Sequence, residues 1–255
     1  MKINKRFYII QDNKILLKRD DYCFPDPALI NPASIEQQIE MGTYEDIWCL
    51  AVMPKENFQI PDGFDFFSIK RLIRKTDRAD LKLTGLAGFL VNWIINSKFC
   101  GRCGAENEMH YIDKARKCSN CGLMNYPSIS PAIIVAVIKD SKILLAHNKK
   151  FADDIYSTIA GFLDPGETFE ECVEREVYEE ICIKVKNIKY FGNQSWPFPD
   201  SHMIGFTAEY ESGKIKEDGI EIEHANWFTA ENLPKIPAKG SISRELIDWF
   251  EKENS

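Results

Sequence analysis

Apolar positions in the first hundred residues come in short blocks. Residues 6–10, 14–17 and 47–53 read as strands, set apart by turn signals at Pro25, Pro27, Pro61 and Gly63. Between positions 80 and 98 the period changes. Leu83, Leu86, Ala87, Leu90, Val91, Ile94 and Ile95 recur at helical spacing and predict an amphipathic helix that closes an α+β region. Further along, residues 133–138 and 142–146 flank the polar Lys139-Asp140-Ser141 and predict a hairpin. Residues 161–166 read as a loop. Residues 168–181 read as a helix with a charged outer face, its inner face marked by Cys172 and by Val173, Val177 and Ile181 at i, i+4 and i+8. Two more strands, 188–191 and 204–210, bracket a Pro-rich loop, and residues 242–252 have the period of a closing helix. The pattern divides the chain into an N-terminal α+β domain (1–98), a cysteine-bearing segment (99–126) and a C-terminal domain (127–255).

Composition narrows the class. Hydrophobic residues at 44% and charged residues at 28% exclude a chain disordered throughout, and there are no repeats or low-complexity tracts. A net charge of −7 argues against whole-protein attraction to nucleic acid or anionic membrane, while leaving room for a local basic groove. The longest apolar runs, 86–95 and 132–138, fall short of the ~20 residues of a membrane helix. The first apolar stretch, 7–10, is too short for a secretory signal, so the expected location is the cytoplasm.

Four of the eight cysteines, Cys23, Cys49, Cys172 and Cys182, are scattered and read as small buried hydrophobes. The other four form two CxxC pairs, Cys100/Cys103 and Cys118/Cys121, separated by fourteen residues. Four thiolates close a tetrahedron around Zn²⁺, replace the core so short a segment cannot build, and leave no position for substrate, so this ion is expected to be structural. Gly104 and Gly122, directly after each pair, suit tight knuckle turns. Five basic against three acidic residues in 98–121 give only slight support to a nucleic-acid-binding ribbon. His110, His147, His202 and His224 show no paired spacing and read as surface or packing residues, with His202 the exception to watch.

The densest chemistry lies between Gly161 and Ile183. On a helix Glu176, Glu179 and Glu180 project together as an acidic patch. A hard divalent cation such as Mg²⁺ relieves the repulsion and draws substrate phosphates to complete its shell. Arg175 can hold a carboxylate by a bidentate pair, with Glu167 and Glu171 both candidates. In this register Gly161, Glu167, Arg175, Glu176, Val177, Glu179, Glu180 and Ile183 resemble the Nudix hydrolase signature G-x5-E-x7-R-E-U-x-E-E-x-G-U, with Cys182 in place of the usual Gly. The run Asn193-Gln194-Ser195-Trp196-Pro197-Phe198-Pro199-Asp200-Ser201 is similar to the SQPWPFPxS array of the NADH pyrophosphatase branch, with Asn193 and Ser195 as departures. That branch also carries a four-cysteine zinc ribbon between an N-terminal and a catalytic domain.

The resemblance implies an α/β/α sandwich with a mixed sheet. It also implies Mg²⁺- or Mn²⁺-dependent hydrolysis of NADH or NAD to nicotinamide mononucleotide and AMP, with removal of NAD caps from RNA 5′ ends as a further activity. Glu176, Glu179, Glu180 and Glu221 would hold the catalytic ions, with Glu223 as the fallback for Glu221, and Glu179 or Glu180 would take the proton of the attacking water. Arg175 and Glu167 complete the catalytic set. Phe162, Tyr126, Gln194, Ser195, Trp196, Pro197, Phe198, Pro199 and Ser201 would meet the substrate, in a homodimer. The alternatives are another nucleoside diphosphate substrate, or a non-catalytic zinc-ribbon protein that binds nucleotide or RNA.

Overall fold

The computed structural model describes residues 4–72, 78–110, 112–151, 154–198 and 200–254; Pro199 lies outside them. The chain forms two compact units, one of Met1–Ser128 with Pro197–Asp200, the other of Ile129–Trp196 with Ser201–Ser255.

The first unit is built on a five-stranded sheet of β1 (Lys5–Gln11), β2 (Lys14–Lys18), β3 (Ile35–Tyr44), β4 (Ile47–Pro54) and β5 (Phe64–Ser68). Their order is β3-β4-β1-β2-β5, and among these strands β1 and β4 run parallel. Side chains alternate across the pleat. Tyr8 and Ile10 therefore join Ile15 and Leu17 on the face shared with helix α2 (Arg78–Asn96), while Phe7 and Ile9 join Leu16, Leu50 and Val52 on the other. A four-residue α1 (Ile69–Leu72) precedes α2. The predicted strands correspond to β1, β2 and β4 and the predicted helix to α2; β3 and β5 were not foreseen. A separate three-stranded sheet of β6 (Asn107–His110), β7 (Ala115–Cys118) and β8 (Met124–Asn125) carries the second cysteine pair.

The second unit has a mixed six-stranded sheet. It comprises β9 (Ser130–Lys139), β10 (Lys142–Asn148), β11 (Ile159–Phe162), β12 (Ile183–Trp196), β13 (Ser201–Gly213) and β14 (Ile222–Phe228), in the order β12-β13-β9-β10-β14 with β11 also paired to β9. β9 and β13 run parallel, and the other pairs are antiparallel. The expected β9–β10 hairpin turns at Asp140 and Ser141, both at positive φ, as a two-residue hairpin turn requires. Helix α3 (Phe169–Ile181) buries Cys172, Val173, Val177 and Ile181 against one face, and α4 (Ile242–Glu253) buries Ile242, Leu246, Ile247 and Phe250 against the other. This is the α/β/α sandwich the resemblance implies.

Two expectations are corrected. Gly161 and Phe162 end a strand rather than open a loop, because β11 pairs with β9 as far as Phe162 opposite Ala132. The Pro-rich loop shrinks to residues 197–200. β12 and β13 extend to the pair Trp196/Ser201, their polar, half-exposed ends and register shifts having hidden the alternation that marks a strand.

Cys182 caps α3 in the left-handed region at φ 57° and ψ 31°, a conformation that costs a side-chain-bearing residue about 1–2 kcal/mol. Cys182→Gly is expected to gain roughly 0.5–1 kcal/mol net of glycine's larger backbone entropy, and to raise the melting temperature by about 2 °C in a thermal scan. An unchanged or lower melting temperature would show that the cysteine side chain compensates for its backbone.

Candidate active site

Helix α3 is the platform of the site. Thr168 and Glu171 form a capping box: the Thr168 hydroxyl accepts from the Glu171 amide at 3.2 Å, and the Glu171 carboxylate accepts from the Thr168 amide at 2.7 Å. Glu171 is therefore committed to the helix start, which resolves the choice of carboxylate for Arg175. The guanidinium grips Glu167 with two bonds, Nε to Oε1 at 2.5 Å and Nη2 to Oε2 at 2.9 Å. It also donates through Nη1 to Glu176 at 2.9 Å and Glu179 at 3.1 Å, and through Nη2 to the Phe162 carbonyl at 2.9 Å. Arg175 thus fastens the end of β11, the following loop and two helix carboxylates together. Its hydrogen bonds hold the Glu167 carboxyl down at about 2, helped by the Asp164 amide.

Glu176 and Glu180 face inward. Gly161 explains how Glu176 fits, since a Cβ at that position would fall on the Glu176 carboxylate. Burial raises the Glu176 carboxyl above its ordinary range despite Arg175. Glu180 is 8% exposed, and its Oε2 has no hydrogen-bond partner. Burial pushes its carboxyl up to about 8, and the charges of Glu176, Glu221, Asp218 and Glu179 act in the same direction.

Glu221, just before β14, is one of these neighbours. It pairs with Lys150 at 3.2 Å and accepts from Asn148 at 3.4 Å. Glu223 instead lies 3.8 Å from His147, whose other ring nitrogen meets the Ile155 carbonyl. Asp218 was not foreseen. Its carboxylate accepts from the amides of Ile220, Glu221 and Ile222, and these bonds outweigh burial and lower its pKa. An Asp-Gly pair in a polar stretch was the available signal, and it marks a turn rather than a ligand.

Phe162 is 57% exposed at the end of β11, and Tyr126 is 52% exposed after β8. Ser195 is exposed, Trp196 half-buried and Ser201 buried. The Gln194 side chain spans from the Gly240 carbonyl, at 2.8 Å, to the Ile242 amide, at 2.7 Å, and so steadies the start of α4. Asn193 donates to the Tyr190 hydroxyl at 2.5 Å and meets His202 at 3.2 Å. Pro197 and Phe198 group with the first unit.

The thiols of Cys100, Cys103, Cys118 and Cys121 lie within 4.8 Å of one another, the one convergent set of three or more metal-ligating groups among the described residues. Two of the Sγ separations are 3.5 and 3.6 Å. The edge of a sulfur tetrahedron around Zn²⁺ is about 3.8 Å. Gly104 and Gly122 take positive φ, and the amides of Arg102 and Cys121 donate to Cys100 and Cys118, which favours their thiolates. This donor set fits a divalent metal closed to substrate. Cys118→Ser is expected to lose the bound metal and to abolish hydrogen-exchange protection of β6 to β8, whose buried apolar groups are few. Retained protection in the metal-free variant would contradict a structural role.

The NUDIX domain family matches residues 129–250. A protein of Pseudomonas fluorescens (strain Pf0-1) named NAD-capped RNA hydrolase NudC is 43% identical over 243 residues, which span 95% of this chain and 86% of that protein. Another of the same name, from Pseudomonas syringae pv. syringae (strain B728a), is 37% identical over 247 residues, 96% and 88% of the two chains. The crystal structure of a NUDIX hydrolase from Nitrosomonas europaea matches with a TM-score of 0.52 at 22% identity, over 61% of this chain and 91% of that one, and shares its fold. With the signature carboxylates on α3 and relatives aligned over nearly its whole length, this chain belongs to the Nudix family of hydrolases, which act on diphosphate bonds and use divalent metals.

Proposed function

We propose that the chain hydrolyses the diphosphate bond of NADH or NAD, releasing reduced or oxidised nicotinamide mononucleotide and AMP, and that it removes the same dinucleotide from RNA 5′ ends. The observation that carries this reading is the likeness to proteins named NAD-capped RNA hydrolase over 86–88% of their length. The buried, unpartnered Glu180 Oε2 beside Glu176, Glu179 and Glu221 supports it, because such a group fits a cation rather than solvent.

Glu176, Glu179, Glu180 and Glu221 would hold Mg²⁺ or Mn²⁺, which neutralises the diphosphate and lowers the pKa of bound water. Arg175 fixes the angles of Glu176 and Glu179 through its 2.9 and 3.1 Å bonds, and Glu167 fixes Arg175. Glu179, whose side chain is 59% exposed, or Glu180 accepts the proton of the attacking water. Phe162 and Tyr126 offer exposed rings for stacking on a flat base, while the exposed Ser195 supplies a hydroxyl for ribose or phosphate. Zn²⁺ on the four cysteines is structural. The reading includes a cytoplasmic homodimer; sedimentation at twice the chain mass checks the assembly.

Purified protein incubated with NADH and Mn²⁺, with a chelator control, tests the reaction. Metal-dependent release of reduced nicotinamide mononucleotide and AMP by mass spectrometry is expected. Intact NADH from folded protein would turn the reading toward other nucleoside diphosphates, in line with the Asn193 and Ser195 departures.

A further inference from the structure

Strand β7 has four residues, three of them buried, and one of the three is Arg116, only 7% exposed. A charge is costly to bury and normally comes with its partners. Arg116 lacks a full set. Its Nη2 donates to the Asn107 carbonyl, while Nε, also buried, has no acceptor among the described residues. Burial lowers its pKa, and the nearby charge of Glu106 offsets only part of that. The strand beside it is firmly placed: the Asn107 amide donates to the Lys98 carbonyl at 2.9 Å, and the Asn107 side chain to the Ser97 carbonyl at 2.8 Å. A methionine at position 116 would fill similar space with no idle donor, so packing alone does not account for the guanidinium.

Arg116 lines a cleft of about 380 Å³ within the first unit, a volume at the lower end of small-molecule sites. Ile10 on β1, Met53 on β4 and Ile95 on α2 give it apolar walls, and Ile95 is 54% exposed, left for an occupant to cover. Lys98, just after α2, adds a second cation. Carboxylates border the cleft as well: Asp12 in the β1–β2 turn, Glu36 on β3 and Glu106 before β6. This mixture selects the occupant. A purely apolar molecule would leave the guanidinium unpaired. A phosphate or other simple anion would face three carboxylates and offer them nothing. A small molecule with both charges and an apolar body satisfies every wall.

We propose that this cleft binds a free α-amino acid with an apolar side chain, its carboxylate on Arg116 and Lys98, its ammonium on Asp12 or Glu36, and its side chain on Ile10, Met53 and Ile95. All of these residues belong to the first unit, and the binding needs neither the hydrolytic metal nor a dinucleotide. It therefore holds whatever diphosphate the second unit cleaves.

Isothermal titration of the full-length, zinc-loaded protein with L-leucine, L-methionine and L-phenylalanine tests the site, with isocaproate and isoamylamine as the two halves of leucine. At least one of the amino acids is expected to bind with a Kd below about 1 mM, and each half-ligand at least about tenfold more weakly than L-leucine. Lys98→Glu is expected to weaken binding about tenfold and Arg116→Met to abolish it. No heat from any of the three amino acids overturns the site. Isocaproate binding as tightly as L-leucine overturns the two-charge assignment, because the carboxylates would then contribute nothing. Unchanged affinity in Lys98→Glu puts the bound amino acid elsewhere on the protein and overturns the cleft. Should Arg116→Met fail to fold, Lys98→Glu still decides, since its side chain is exposed and lies beyond the end of α2.

Discussion

Glu180→Gln is expected to lower turnover by about 10²–10³-fold and, in chelator, to make the protein more stable than wild type above pH 5. The two effects have one origin. Glu180 is buried and its Oε2 lacks a partner, and this burial, with four further carboxylates acting in the same direction, raises its pKa to about 8. Without a cation the folded protein keeps this proton to near pH 8, whereas the unfolded chain releases it near the ordinary 4.5. A folded-state pKa raised in this way supplies stability that is complete below the unfolded value and lost as pH climbs to the folded one. Wild-type stability in chelator therefore falls between pH 4.5 and 8, by an amount on the order of a few kcal/mol.

Glutamine resembles the protonated acid at every pH, so the stability gap between variant and wild type opens across the same window. The Glu167 carboxyl, held down at about 2, acts in the opposite sense. Its contribution is present above the ordinary carboxylate range and disappears only as pH falls toward 2, outside the window of interest. Added Mg²⁺ should close the gap from the wild-type side, because only the carboxylate gains from the cation. Melting curves of both proteins at pH 5 and pH 8, with and without metal, check this. A variant less stable than wild type in chelator at pH 8 would mean that Glu180 has a partner of its own.

How much of this was readable beforehand depended on whether the signal was local. The α3 carboxylates, the apolar stripe of Val173, Val177 and Ile181 and the two cysteine pairs were legible because each is set by spacing within a few residues. The Arg175 partner remained open between Glu167 and Glu171 until the capping box claimed Glu171, a choice that depends on where the helix begins. β3 was missed because it is a sheet edge in which Ile39 is the only buried position, and edges need not alternate cleanly. Phe198 read as a stacking ring because its neighbours in sequence are aromatic and proline residues. Its neighbours in space include the core beneath α2, more than a hundred positions earlier in the chain. Asp218 acts through backbone amides, which leave no periodic trace.

Gly161→Ala is expected to lower turnover about 10²-fold while leaving the protein folded. The backbone at Gly161 is an ordinary strand, outside the positive-φ glycines, and pairs with Ile133, so alanine is conformationally acceptable there. Only space is short. The new methyl would fall on the Glu176 carboxylate, which must then swing away from β11 and from the Arg175 Nη1 that holds it at 2.9 Å. Arg175 keeps its two bonds to Glu167, so the loop after β11 stays fastened and the loss is confined to one carboxylate. A shorter acid at position 176 should relieve the clash. Gly161→Ala combined with Glu176→Asp is therefore expected to be no worse than Glu176→Asp alone, a non-additivity that residues in direct contact show and distant ones do not. Turnover of the three variants, with melting temperatures to confirm folding, measures that coupling. Wild-type turnover in Gly161→Ala, or strict additivity in the double variant, would show that Glu176 does not take its position from the space beside Gly161.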